Sequence, residues 1–134
     1  MMALTLDQLL EQTAALHNHL CPRQILGVRM GMLASELLDI SLPQRNKRMF
    51  TFLETDGCFA DGVAVATGCW LGHRTLRLMD FGKVAATFVD TTTGRAFRIS
   101  VHPDSRAAAA EIEPDARSRW HGQLAAYQRL SNEQ

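Results

Sequence analysis

The sequence predicts one α+β domain, a small antiparallel sheet packed with several helices. Three observations predict it. Residues 5–40 carry apolar positions at helical spacing. Short apolar runs at 49–54, 82–90 and 95–101 read as strands, set off by turn residues such as Asp56-Gly57 and the segment 91–94. After Pro103 and Pro114, an alanine run and then a spaced aromatic and aliphatic pattern return to helix. Helices covering a sheet of about three strands is a stable layered solution.

Thr5 is placed to cap a first helix over residues 5–16, with Leu6, Leu9, Leu10, Thr13 and Leu16 at helical spacing. Asn18 marks its end. Pro22 suits the first turn of a second helix that runs to about residue 40. Ile25, Val28, Met30, Leu33, Leu37 and Leu38 leave that helix apolar on most sides, so a central, buried position is expected. Gly27 and Gly31 share one face. Each costs about 1 kcal/mol against alanine in a helix, which argues for close approach of another backbone there. After a loop at 43–48 and the first strand, residues 58–66 are small and apolar and read as a third helix, closed by Thr67-Gly68. Residues 72–81 lack a clear period, and a short helix is expected around 75–79. The next two strands form a hairpin, with Phe97, Ile99 and Val101 opposite in facing to Ala96 and Arg98. The last helix carries Trp120, Leu124, Tyr127 and Leu130. Without repeats, low-complexity tracts or linkers, residues 1–134 read as a single domain.

Composition removes several classes of function. At 134 residues and 46% hydrophobic content the chain can bury a real core. Lys+Arg and Asp+Glu are equal at 14 each, which gives no electrostatic argument for nucleic acid or an anionic membrane. No apolar run approaches the roughly 20 residues that span a bilayer. The N-terminus has no basic region, and Asp7 and Glu11 interrupt its apolar residues, unlike a signal peptide. Three cysteines in such a chain disfavour a disulfide framework, so a reduced, cytoplasmic protein is expected. GxSxG, P-loop and GxGxxG patterns are missing.

The chemistry concentrates in three islands: His17-Asn18-His19-Leu20-Cys21-Pro22, Thr55-Asp56-Gly57-Cys58-Phe59-Ala60-Asp61, and Thr67-Gly68-Cys69-Trp70-Leu71-Gly72-His73. Imidazole with thiolate suits zinc or another borderline first-row metal. The first island alone is equally compatible with two ordinary histidines and a buried thiol at a helix start. Cys58 adds weight: at a helix N-terminus the free N–H groups and macrodipole stabilise a thiolate. Asp61, three residues on, shares its helical face and is placed to carry protons. Cys69 is balanced between lining this site and simple burial, while His73 is held in reserve because it lies close to Cys69. Arg23 and Arg29 are available to an anionic ligand or to a surface acid such as Glu36.

These islands, with Gly82-Lys83, resemble the FmdE family, named for a component of formylmethanofuran dehydrogenase. That family has a His-Gly-His-x-Cys-Pro-Gly segment, then Thr-x-x-x-Cys-x-x-Asp, Thr-Gly-Cys-x-x-Gly and a Gly-Lys strand. The similarity covers about residues 14–101, leaving 102–134 as C-terminal helices. It implies an α+β core, commonly dimeric, with a cysteine/histidine site. On that basis His17, His19, Cys21 and Cys58 are the expected ligands of a divalent, zinc-like ion, and Cys58 and Asp61 the expected catalytic pair. Arg23, Cys69 and His73 are candidate pocket residues for an unknown small molecule. Asn18, Arg23 and His73 depart from the family's Gly, Gly and Lys, so substrates are not transferable. The cysteine-free C-terminal helices stand where some relatives carry a zinc finger, so a stand-alone protein is expected. Three readings result: a metal- or thiolate-dependent enzyme, a non-catalytic metal-binding accessory of a molybdenum or tungsten oxidoreductase, and a structural homodimer with inert cysteines. The Gly27/Gly31 face and the aromatic last helix are the surfaces expected to dimerise.

Overall fold

The computed structural model describes residues 2, 4–17, 20–44, 46–116 and 118–129, apart from the side chain of His17. Among these residues the α+β architecture is present as five α-helices and one four-stranded sheet. Helix α1 (Leu6–His17) opens with the expected cap. Thr5 Oγ1 accepts from the Gln8 N–H at 3.2 Å, and Gln8 Oε1 accepts from the Thr5 N–H at 2.9 Å, a reciprocal capping box. Asn18 and Leu130 lie outside the described residues.

Helix α2 (Pro22–Leu38) is the central element, as its all-round apolarity predicted. Met30, Ala34 and Leu38 join the sheet-side core with Phe59, Val63, Leu53 and Phe88. Ile25 and Val28 join a second core formed with Leu9, Leu10, Ala109, Ala126 and Tyr127. The helix thus separates the sheet from α1, α4 (Ser105–Ile112) and α5 (Arg119–Ala126). No helix of the described residues is long and apolar enough to cross a membrane.

Helix α3 (Cys58–Thr67) packs directly on α2, and glycines make this possible. A Cβ on Gly27 would collide with the Phe59 carbonyl oxygen, and one on Gly62 with the Gln24 carbonyl oxygen. A Cβ on Gly31 would stand 2.7 Å from that of Ala66. Contacts advance together along both helices, so α2 and α3 run parallel with their N-termini at the same end. The close approach read from Gly27 and Gly31 is therefore present, but inside the chain. This removes the glycine face as a surface for a second copy. Tyr127 is likewise consumed, being buried in the second core, while Trp120 stays exposed.

The sheet has the order β2-β1-β3-β4, with β1 (Met49–Leu53), β2 (Leu76–Leu78), β3 (Ala85–Asp90) and β4 (Ala96–Ser100). Thr51 opposes Phe88, and Thr87 opposes Arg98, in the two antiparallel ladders. Thr51 opposes Leu76 in a parallel pairing, so the sheet is mixed rather than purely antiparallel. A crossover through α3 requires this direction, because it returns the chain to the end of the sheet from which β1 started. The helix expected around 75–79 is instead the edge strand β2, preceded by a 3-10 turn at Leu71–His73. A segment so short cannot nucleate a stable helix by itself. The open edge of β1 offers hydrogen bonds instead: the Thr51 N–H donates to the Thr75 carbonyl and the Met79 N–H to the Leu53 carbonyl, each at 2.8 Å.

The helix contact can be tested by adding one methyl group. Gly27→Ala or Gly62→Ala presses a Cβ on an immovable backbone carbonyl and is expected to cost about 3 kcal/mol, read as a lowered urea midpoint. Gly72→Ala, whose Cβ would meet open space, is expected to stay within about 0.5 kcal/mol.

Candidate functional site

Cys21 is the N-cap of α2, in extended backbone at φ −129° and ψ 162°. Cys58 is the first residue of α3, following Gly57 at φ 81° and ψ −151°, a conformation that glycine reaches without strain. Because α2 and α3 run parallel, their starts lie side by side and the two thiols are close enough for Cys21 to act on the ionisation of Cys58. Asp61, in the first turn of α3, lies close enough for its charge to act on Cys58. Two separate islands of sequence are thus joined by one helix contact.

Helix position alone leads one to expect that the N-terminus of α3 favours a Cys58 thiolate. The structure places the thiol under the opposite balance. Burial, then the neighbouring Cys21 thiol and the negative charge of Asp61, push its pKa up to about 11. The macrodipole is the weaker influence here, since desolvation and like charge both oppose ionisation. Without a cation in the site, Cys58 is a neutral thiol at physiological pH.

Gln24 is the positioning residue that sequence reasoning missed. It is fully buried. Its Oε1 accepts from the Cys21 N–H at 2.6 Å, and its Nε2 donates to the Thr13 carbonyl at 3.1 Å. One side chain therefore ties the backbone of Cys21 to α1 and holds the start of α2 in place. The available signal was a glutamine at the third position of a helix opened by Pro22, half of a capping box whose N-cap is an unfavoured cysteine.

The remaining candidates are dispersed. The side chain of His17 and all of His19 lie outside the described residues. Cys69 sits beyond the far end of α3, roughly 14 Å along the helix from Cys58. There it is buried in the core; its thiol donates to the Met49 carbonyl at 3.3 Å, and the Thr51 hydroxyl lies 3.4 Å from its sulfur. The structure does not bring it to the Cys21–Cys58 pair. His73 is exposed on the 3-10 turn. Arg29 donates to the Tyr127 carbonyl at 2.9 Å, fastening α2 to the end of α5, whereas Arg23 is exposed and lines a cleft. Among the described residues, no group of three or more His, Cys, Asp and Glu side chains is arranged to hold a metal ion. The described donors therefore amount to the cysteine pair, with Asp61 as its charged neighbour.

A family described as "FmdE, Molybdenum formylmethanofuran dehydrogenase operon" matches residues 16–133, which include both cysteines of the pair and the C-terminal helices. A probable S-adenosyl-L-methionine-binding protein of Archaeoglobus fulgidus is 35% identical over 103 residues, 75% of this chain and 28% of that protein. The chain thus spans little more than a quarter of that relative's length. In fold it is similar to the crystal structure of a tungsten formylmethanofuran dehydrogenase FmdE-like protein from Syntrophus aciditrophicus. That match has a TM-score of 0.60 and 24% identity, covering 83% of this chain and 58% of the other.

The thiol balance predicts a distinctive pH profile. In reduced, metal-free protein, iodoacetamide is expected to label Cys58 slowly at neutral pH, with the rate rising toward a midpoint of about 11, as read by mass spectrometry of its peptide. Asp61→Asn is expected to lower that midpoint by removing a like charge. The folded thiol holds its proton more tightly than the ordinary value of 9.0, so its contribution to stability is complete below pH 9 and lost as pH rises toward 11.

Proposed function

The chain belongs to the FmdE family, and on that premise we propose that it is a metal-binding member of the family. Its zinc-like ion would be held by Cys21 and Cys58 with His17 and His19. The observation that carries this reading is the closeness of two thiols at adjoining helix starts. Thiol and imidazole donors suit zinc, which takes four ligands in closed sites and three plus an exchangeable position in catalytic ones. The cysteine pair accounts for two ligands. His17 and His19 are the nearest imidazoles in sequence to Cys21 and supply the others in this proposal.

The raised thiol pKa favours a metal over a free thiolate nucleophile. A thiol of pKa about 11 is ionised to roughly one part in ten thousand at neutral pH. A divalent cation would relieve the repulsion among Cys21, Cys58 and Asp61 and deprotonate the thiols on binding. When bound, the ion supplies Lewis acidity to a ligand in any open position. Asp61 would then hold a proton beside that position, which is the role we assign it. Gln24 would keep Cys21 in register with Cys58. The family's description supports service to a molybdenum or tungsten oxidoreductase, so an accessory role is the second reading. An exchangeable ligand on the ion favours catalysis, and a closed sphere of four protein donors favours the accessory role.

Metal analysis of the purified protein is expected to give one zinc-like ion per chain. Cys58→Ser and His19→Ala are each expected to lower that stoichiometry. An unchanged metal content in both variants would overturn the site.

The expected homodimer requires a different surface from the glycine face. Leu71 and Phe81, 68% and 65% exposed, flank the edge strand β2 in sequence, with Leu78 and Met79 also exposed. We assign the dimer to this edge, where an apolar strip flanks unpaired strand backbone. Light scattering at micromolar concentration is expected to give a dimer, and Phe81→Asp a monomer. A monomeric parent protein would remove the assignment.

A further inference from the structure

A second site is built on the other flank of α2. Pro22 and Leu26 lie one turn apart, on a face turned well away from Gly27 and Gly31. Together with Val84, Val101 and the start of α4 they line a cleft of about 330 Å³. That volume is at the lower end of small-molecule pockets. The cleft is amphiphilic, with aliphatic side chains beside Arg23, His102 and Arg106.

Its charge is of one sign. No Asp or Glu is among the described lining residues. Among the described residues, neither Arg23 nor Arg106 has an ion-pair or hydrogen-bond partner for its side chain. His102 Nδ1 accepts from the Asp104 N–H at 3.1 Å. That bond leaves the ring proton of neutral His102 on Nε2, as a donor. Arg23 is in the first turn of α2 and Arg106 in the first turn of α4, so the positive ends of two helix dipoles accompany the two guanidinium groups. A solitary solvated arginine would call for no ligand. Two unpaired arginines, an imidazole and two helix starts around one partly apolar cleft form the arrangement that an anion completes.

We propose that this cleft binds the anionic head of a small organic molecule, a carboxylate or a phosphate monoester with an apolar body, through Arg23 and Arg106. Guanidinium groups bind both head groups through paired, charge-assisted hydrogen bonds. The aliphatic lining takes the body. This site uses neither Cys21 nor Cys58 and does not depend on the metal reading.

The test is an NMR titration of the ¹⁵N-labelled full chain with phenyl phosphate, benzoate and the neutral benzyl alcohol. At least one anion is expected to shift the amides of Arg23, Leu26 and Arg106 saturably, and the tighter of the two identifies the head group. Benzyl alcohol is expected to bind much more weakly. Arg23→Gln and Arg106→Gln are each expected to weaken the anion by about tenfold, the loss of a charge-assisted hydrogen bond. Arg77→Gln, on the strand at the opposite edge of the sheet, is expected to leave affinity unchanged. The proposal is overturned by the absence of saturable shifts with either anion, by equal binding of benzyl alcohol, by shifts centred on Cys58 and Asp61, or by undiminished affinity in both arginine variants.

Discussion

The contact of Gly27 with Gly62 is the constraint on which the rest of the molecule depends. Each glycine faces a backbone carbonyl of the opposite helix, so neither tolerates a side chain. The contact lets α2 and α3 lie parallel at a separation that larger residues would forbid. With that geometry in place, the helix starts coincide and the Cys21 and Cys58 thiols lie close together. The same contact frees the other flanks of α2 for the sheet-side core, the second core and the Arg23 cleft. The cost of glycine within a helix is thereby offset by a packing geometry that alanine could not supply.

The site shows how local and tertiary electrostatics compete. A helix start favours a thiolate, and Cys58 stands at one. Yet its thiol is partly buried, beside a second thiol and close to a carboxylate. These three influences act in the same direction and exceed the dipole. Gln24 extends the site beyond the thiols, since its amide links the Cys21 backbone to α1.

Much of the fold was legible because periodicity reports burial. The apolar circumference of α2 announced a central helix, and the alternation from Arg95 to Val101 announced a strand with one face partly buried. Thr5 and Pro22 marked helix starts through capping chemistry that acts over a few residues. Residues 76–78 were not legible as a strand, since three residues carry no period and β1 supplies their hydrogen bonds. The role of Gly27 and Gly31 was legible as close packing, whereas the identity of the partner was not. A glycine records that something approaches, without recording whether it belongs to the same chain.

By itself the sequence determined the α+β class, the starts of α1 and α2, the three chemical islands and the family to which they belong. These are local matters: spacing, capping and the types of residue in short segments. The tertiary structure alone decided that Cys21 and Cys58 lie at adjoining helix starts while Cys69 is held at the other end of α3 by Met49 and Thr51. It also decided that the Cys58 thiol holds its proton and that Arg23 and Arg106, far apart in sequence, face one cleft. The physical reason is that desolvation, charge and convergence are properties of distances in space. The parallel packing of α2 on α3 sets those distances for the thiols, and no window of sequence contains both helices.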